Sequence, residues 1–328
     1  MLKQVFFISI SFAIAVVLLV TGFNYILSES EVVLFYSISL KNHFISFVFC
    51  FVTFIISGYE LKYIYGRNTE IKLTTYEVIS LPVSMNLLGF VFPFQGSFLY
   101  LIAYMKLKYK TSILNTTYIY AFLFLLSMSI SGLLGIVFYL KYSSVSFLFL
   151  ILSVLLLINP VIIFYIGKLL EKFKPRNLFL LNKPKLILEQ IINNLNLLVK
   201  DKYVTLTIIG FNLLSTFVYA IWSYWIALHF NINITFFAIL IMTFLLKITM
   251  LMKFTPGNLG LAQFATGGIV VLLGGKAADG FLISLFQSLT YLLTALSLWI
   301  IFTINNFNYF DLTELKSMIL SNKQTNLK

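Results

Sequence analysis

The chain alternates long apolar runs with short polar gaps: residues 5–27, 44–59, 78–105, 117–139, 146–166, 204–228, 234–252, 261–275 and 281–304 are predominantly apolar. Runs near 20 apolar residues match the roughly 30 Å hydrocarbon core of a bilayer, so the pattern predicts an all-α polytopic membrane helix bundle. Run 5–27 exceeds a signal-peptide core and lacks a small-residue cleavage site, which predicts an uncleaved first helix. Run 78–105 is interrupted at Gly89 and again at Phe92-Pro93-Phe94-Gln95-Gly96-Ser97. Each half then holds about 12 to 14 residues, roughly 20 Å at helical rise. Because the flanking segments 60–77 and 106–110 are both basic, the expectation is a re-entrant hairpin, with one tilted, proline-kinked span as the alternative. The predicted architecture is about eight crossing helices plus that hairpin, with a second helix break near Pro256. Run 261–275 is short enough to be a tilted or partly buried half-helix.

The longest polar interval, 168–202, breaks at Pro175 and Pro184 and then places Leu186, Ile187, Ile191, Leu195 and Leu198 at helical spacing. This reads either as an amphipathic helix along the inner surface or as a solvated connector between two halves. Trp222 and Trp225, near His229 at the end of their run, read as an interfacial aromatic belt. Residues 1–304 are expected to form a single integral membrane domain with 168–202 as its cytoplasmic basic connector, and 305–328 a short cytoplasmic tail.

Composition strengthens this picture: of 328 residues 60% are hydrophobic and only 10% charged, against about 25% charged in soluble domains. The formal charge of +12 sits in gaps between apolar runs, where it sets orientation rather than marking a nucleic-acid partner. Lys3, the intervals 60–77, 106–110 and 168–202, and the tail carry most of it, whereas the alternate gaps carry Lys41, Lys141 and Lys276. Both termini are therefore expected on the cytoplasmic side of the inner (plasma) membrane. Cys50 is the single cysteine, which excludes an intrachain disulfide.

No Asp or Glu falls inside these runs as drawn, and His43 and His229 stand at run ends, so no catalytic constellation, metal site or cofactor is expected. Glu29 and Glu31 form an acidic pair in the first external turn, where a membrane glycosyltransferase using a lipid-phosphate donor would hold a metal. The stronger signal is the pair of breaks. A helix restarting after Gln95-Gly96 or Pro256-Gly257 presents unpaired N–H groups and its positive dipole end, which can hold an anion such as a lipid phosphate. Broken helices near the midplane also build substrate sites in transporters. Lys247 lies inside an apolar run, a costly position, and Lys253 lies just before the second break. The candidate substrate-binding residues are Pro93, Gln95, Gly96 and Ser97 at the first break, and Lys247, Lys253, Pro256, Gly257, Asn258, Gly260 and Gln263 at the second.

Asn86-Leu87-Leu88 through Pro93-Phe94-Gln95-Gly96-Ser97, followed by a basic turn, together with Thr255-Pro256-Gly257-Asn258-Leu259-Gly260-Leu261-Ala262-Gln263, resembles the lysylphosphatidylglycerol synthase transmembrane region, a flippase-like integral membrane family. The resemblance covers nearly the whole chain in the order of its runs. In that family a glutamate typically follows each break, and an arginine follows the first a turn later; the matching positions here are Ser97, Gln263 and Tyr100. The soluble synthase domain of two-part members has no counterpart, so lipid aminoacylation is not implied. What the resemblance implies is a protein that translocates or binds an anionic lipid or polyprenyl-linked glycan in cell-envelope lipid or polysaccharide pathways, alongside envelope-biosynthesis partner proteins. A lipid-phosphate glycosyltransferase and a non-transporting scaffold of a glycan-assembly complex are the alternatives.

Overall fold

The computed structural model describes residues 2–25, 38–92, 96–141, 147–162, 165, 179–247 and 255–304. Among these residues the chain is helical without strands, as the apolar runs predict. Four helices are long and apolar enough to cross a membrane: α2 (Leu40–Thr69), α5 (Ile113–Lys141), α8 (Lys202–His229) and α11 (Ala277–Ile304). They suit a multi-pass membrane protein. The others are α1 (Leu2–Tyr25), α3 (Thr75–Val91), α4 (Gly96–Tyr109), α6 (Phe147–Leu157), α7 (Phe179–Lys200), α9 (Phe236–Leu246) and α10 (Leu261–Leu272). The described helices do not confirm the expected count of eight crossings. Runs 234–252 and 261–275 contain helices of only 11 and 12 residues, about 16 and 18 Å long, short of the hydrocarbon thickness.

Helix starts follow local capping chemistry. The side chains of Ser39, Asp201 and Thr235 accept backbone N–H bonds at the starts of α2, α8 and α9, and Thr74 with Glu77 forms a reciprocal capping box at α3, satisfying donors that a helix start leaves open.

Helices α3 and α4 form an antiparallel hairpin, and Glu77 fastens its base. This side chain is fully buried and accepts from Thr74 N, Thr74 Oγ1, Tyr104 OH and Tyr109 OH at 2.6–2.7 Å, with Lys108 Nζ at 3.1 Å. The segment therefore enters and leaves at the same end of the bundle. At that end Leu61, Tyr65, Leu101, Met105, Ile119, Leu198 and Val204 share one apolar cluster, Arg67 pairs with Asp201 at 3.7 Å, and Tyr76 OH donates to the Phe302 carbonyl. The described parts of the basic intervals 60–77, 106–110 and 168–202 thus gather on one side. Single cysteines at Lys72 and Lys110, in a Cys50→Ser background, should label with an impermeant thiol reagent from one face and a cysteine at Lys276 from the other. Labelling of the first two from opposite faces would replace the hairpin by a crossing helix. Glu77→Gln should lower stability by about 1–3 kcal/mol, because a buried, multiply bonded charge is lost and some donors are left unmatched; thermal unfolding of the purified protein measures this.

The second hairpin comes from the opposite end. Ile269 and Leu273, late in α10, pack with Phe237 at the start of α9 and with Phe138 and Tyr139 near the end of α5. The described helices of this region therefore go inward along α9 and return along α10.

The other expectations fare differently from residue to residue. Trp222 is not at an interface: it is fully buried, donates to Ser46 Oγ at 3.0 Å and stacks on Tyr291, because α8 packs that face against α2 and α11. Trp225 remains half-buried against His229. Cys50 is packed in the core. The interval 168–202 does contain a helix, α7, whose final turns bury Ile192, Leu195 and Leu198 as α7 packs against α5 and α8. Residues 60–69, read from the pattern as polar loop, are the last turns of α2. Hence Glu60, assigned to a loop, stands within a span.

Candidate functional site

Where the two hairpin tips meet, the described residues enclose a cavity of about 360 Å³. This falls in the range of small-ligand sites and matches a headgroup rather than a whole lipid. Gly96 and Ser97 of the first break and Gly257 and Asn258 of the second line the same cavity, together with Lys247. The tips touch directly: a β-carbon on Gly257 would lie 1.9 Å from the Phe90 ring, and the Gly257 backbone has φ of +57°, a conformation that favours glycine.

Lys247 caps the C-terminus of α9. Eleven helical residues put it about 16 Å from the start of that helix. One of the three donors of its ammonium group is taken by Asn212 Oδ1 at 2.5 Å, and its charge also lies 5.5 Å from the centre of the Phe244 ring, close enough for cation–π attraction. Glu60 interacts electrostatically with it from α2. Helix α4 begins at Gly96, so its N-terminal end, where a helix leaves N–H groups without helical carbonyl partners, lines the same cavity as Lys247. A cation and a helix N-terminus at one cavity form an anion-attracting arrangement.

The other candidate residues fall in different places. Pro256 and Gly260 are buried and shape the turn without lining the cavity. Gln263 is fully buried and engaged inside the protein: its Oε1 accepts from Gly260 N at 2.6 Å and its Nε2 donates to Ser288 Oγ at 2.9 Å. It caps α10, which leaves it unsuited to a direct ligand role. Pro93, Gln95, Lys253, Glu29, Glu31 and the tail 305–328 lie outside the described residues.

The pattern reading missed two groups. Pro82 inside α3 removes the N–H that would bond the Val78 carbonyl, and α2 presses Gly58 against that same carbonyl. The second group is the polar wall on α11, where Ser284, Gln287, Ser288 and Tyr291 all line the cavity. Their spacing of three and four residues puts them on one helix face, a signal present in run 281–304. Among the described residues no group of three or more His, Cys, Asp and Glu could hold a metal ion. No family profile, curated protein or solved structure shows significant similarity to this chain.

Proposed function

We propose that this protein binds the headgroup of an anionic lipid or lipid-linked glycan in the central cavity and passes it across the membrane, as the resemblance to flippase-like lipid-handling proteins suggests. The observation that carries the reading is the meeting of two helix breaks from opposite ends of the bundle at one cavity that also holds Lys247. Tips of opposed hairpins form a thin barrier on each side of a fixed site, which a small displacement of either tip opens to one face; this is how broken helices serve alternating access in transporters. In this reading the basic end faces the cytoplasm, the shorter apolar helices complete the multi-pass bundle, and the passage belongs to cell-envelope lipid or polysaccharide assembly.

The test uses the full chain in phosphatidylcholine nanodiscs, with dioctanoyl-phosphatidylinositol as an anionic probe. Cysteines placed singly at Ser97 and Asn258, in a Cys50→Ser background, should react with an impermeant thiol reagent, and the probe should slow both reactions. Lys247→Met should weaken probe binding about tenfold or more, as expected for losing a hydrogen bond to a charged group, and should abolish movement of labelled probe lipid between vesicle leaflets. Unreactive cysteines at both positions, with binding and movement intact in Lys247→Met, would reduce the two breaks to packed kinks.

A further inference from the structure

Several residues that line the cavity with Lys247 present hydrogen-bond acceptors to it. Thr216 and Thr243 line the cavity, yet their hydroxyls donate to the carbonyls of Asn212 and Ile239 at 2.7 and 2.9 Å. A hydroxyl has a single proton, so what these two offer a ligand is oxygen lone pairs. Asn86, also in the lining, donates one Nδ2 hydrogen to the Pro82 carbonyl at 2.9 Å, which fixes its amide so that Oδ1 is an acceptor beside one remaining N–H.

Gln287 is the most telling of these residues. Its side chain is 1% exposed, and Nε2 donates to Ser223 Oγ at 2.7 Å. The amide orientation follows from the network, because the Ser223 proton goes to the Tyr219 carbonyl at 2.9 Å, so Ser223 can only accept from Gln287. The Gln287 Oε1 is therefore an acceptor, and it has no partner among the described residues. Thr255 Oγ1, 1% exposed at the same cavity, is likewise without one. Buried polar groups left unmatched are costly, and in a cavity the missing partner is supplied by what enters it.

We infer that the cavity selects a headgroup carrying hydroxyl donors on a phosphodiester, a polyol or sugar phosphate, over anionic headgroups without hydroxyls. This rests on the reading of the cavity as an anionic-headgroup site and specifies its chemistry. Gln287, Thr216, Thr243 and Asn86 receive the ligand's hydroxyl protons, while Lys247 and the start of α4 hold its phosphate. An ammonium headgroup could also donate to these acceptors, but Lys247 in the same small cavity repels it.

The experiment compares three probes of equal chain length on the full chain in phosphatidylcholine nanodiscs: dioctanoyl-phosphatidylinositol, dioctanoyl-phosphatidylmethanol, which has the same single phosphodiester charge and no hydroxyl, and dioctanoyl-phosphatidylethanolamine. Phosphatidylinositol should bind about tenfold or more tightly than phosphatidylmethanol, since a site built to bond a hydroxyl discriminates strongly against an analogue lacking it. Phosphatidylethanolamine should bind most weakly. Gln287→Leu should lower the ratio of phosphatidylinositol to phosphatidylmethanol affinity several-fold, whereas Lys247→Met should weaken both anionic probes. The comparison of probes on the unaltered protein stands even where Gln287→Leu fails to fold. Equal, Lys247-dependent affinities for phosphatidylinositol and phosphatidylmethanol overturn the polyol inference and leave the anionic-headgroup reading in place. Absence of Lys247-dependent binding for either probe overturns both. Tightest binding by phosphatidylethanolamine also overturns the inference, because the acceptors would then serve an amine.

Discussion

Replacing Gly257 by valine is expected to abolish headgroup binding at the cavity while the bundle still assembles. The glycine adopts φ of +57° and ψ of +15°, and a β-branched residue there is a steric outlier. Its side chain would also overlap Phe90, whose ring lies 1.9 Å from the position of the added β-carbon. Phe90 itself lines the cavity, so the two ways of relieving the clash, moving the ring or separating the tips, both change the site. Binding of dioctanoyl-phosphatidylinositol should fall beyond detection. Gly210→Ala makes a suitable control, since nothing lies within 4 Å of its added β-carbon. Retained binding in Gly257→Val would mean that contact between the tips does not shape the site.

Gly58→Leu is expected to have the largest effect on folding. An added β-carbon would fall 1.6 Å from the Val78 carbonyl oxygen, and backbone cannot rotate away as a side chain can. Relief requires α2 and α3 to separate, which would pull apart the core that Phe54, Val83 and Leu87 form with α8 and α11. Overpacking of this kind exceeds the usual cost of about 1–3 kcal/mol for added methylenes, since the obstacle is main chain. The measured outcome should be loss of monodisperse protein on extraction from the membrane. Normal yield and unfolding temperature would show that α2 and α3 are less closely packed than described.

How far the site was legible in the sequence depends on the kind of signal each residue carries. Lys247, Gly96, Ser97, Gly257 and Asn258 stood out because each breaks a local rule, a charge or a helix breaker within an apolar run, and all five line the cavity. Gln263 also stood out, but its amide is used to cap α10 and bond Ser288, a role that only the return path of the chain reveals. Gln287 was passed over because one amide in a long apolar run barely alters hydropathy; what distinguishes it is an unmatched oxygen, a property of its neighbours. Glu60 was misplaced because the second run was ended at its first charged residue, whereas α2 continues for several more residues to Thr69.

Local physics set the helical class, the apolar lengths, the positions of both breaks and the gathering of basic gaps, because each follows from neighbouring residues and the cost of exposing polar backbone or charge to hydrocarbon. The tertiary structure alone decided that the hairpins enter from opposite ends, that their tips meet at Phe90 and Gly257, and that Trp222 belongs to the core. The physical reason is that run length and helical period say which surfaces must be buried but not against which partner. Opposing apolar faces are interchangeable until close contacts such as Gly58 on the Val78 carbonyl, or specific bonds such as Lys247 to Asn212, select a single arrangement.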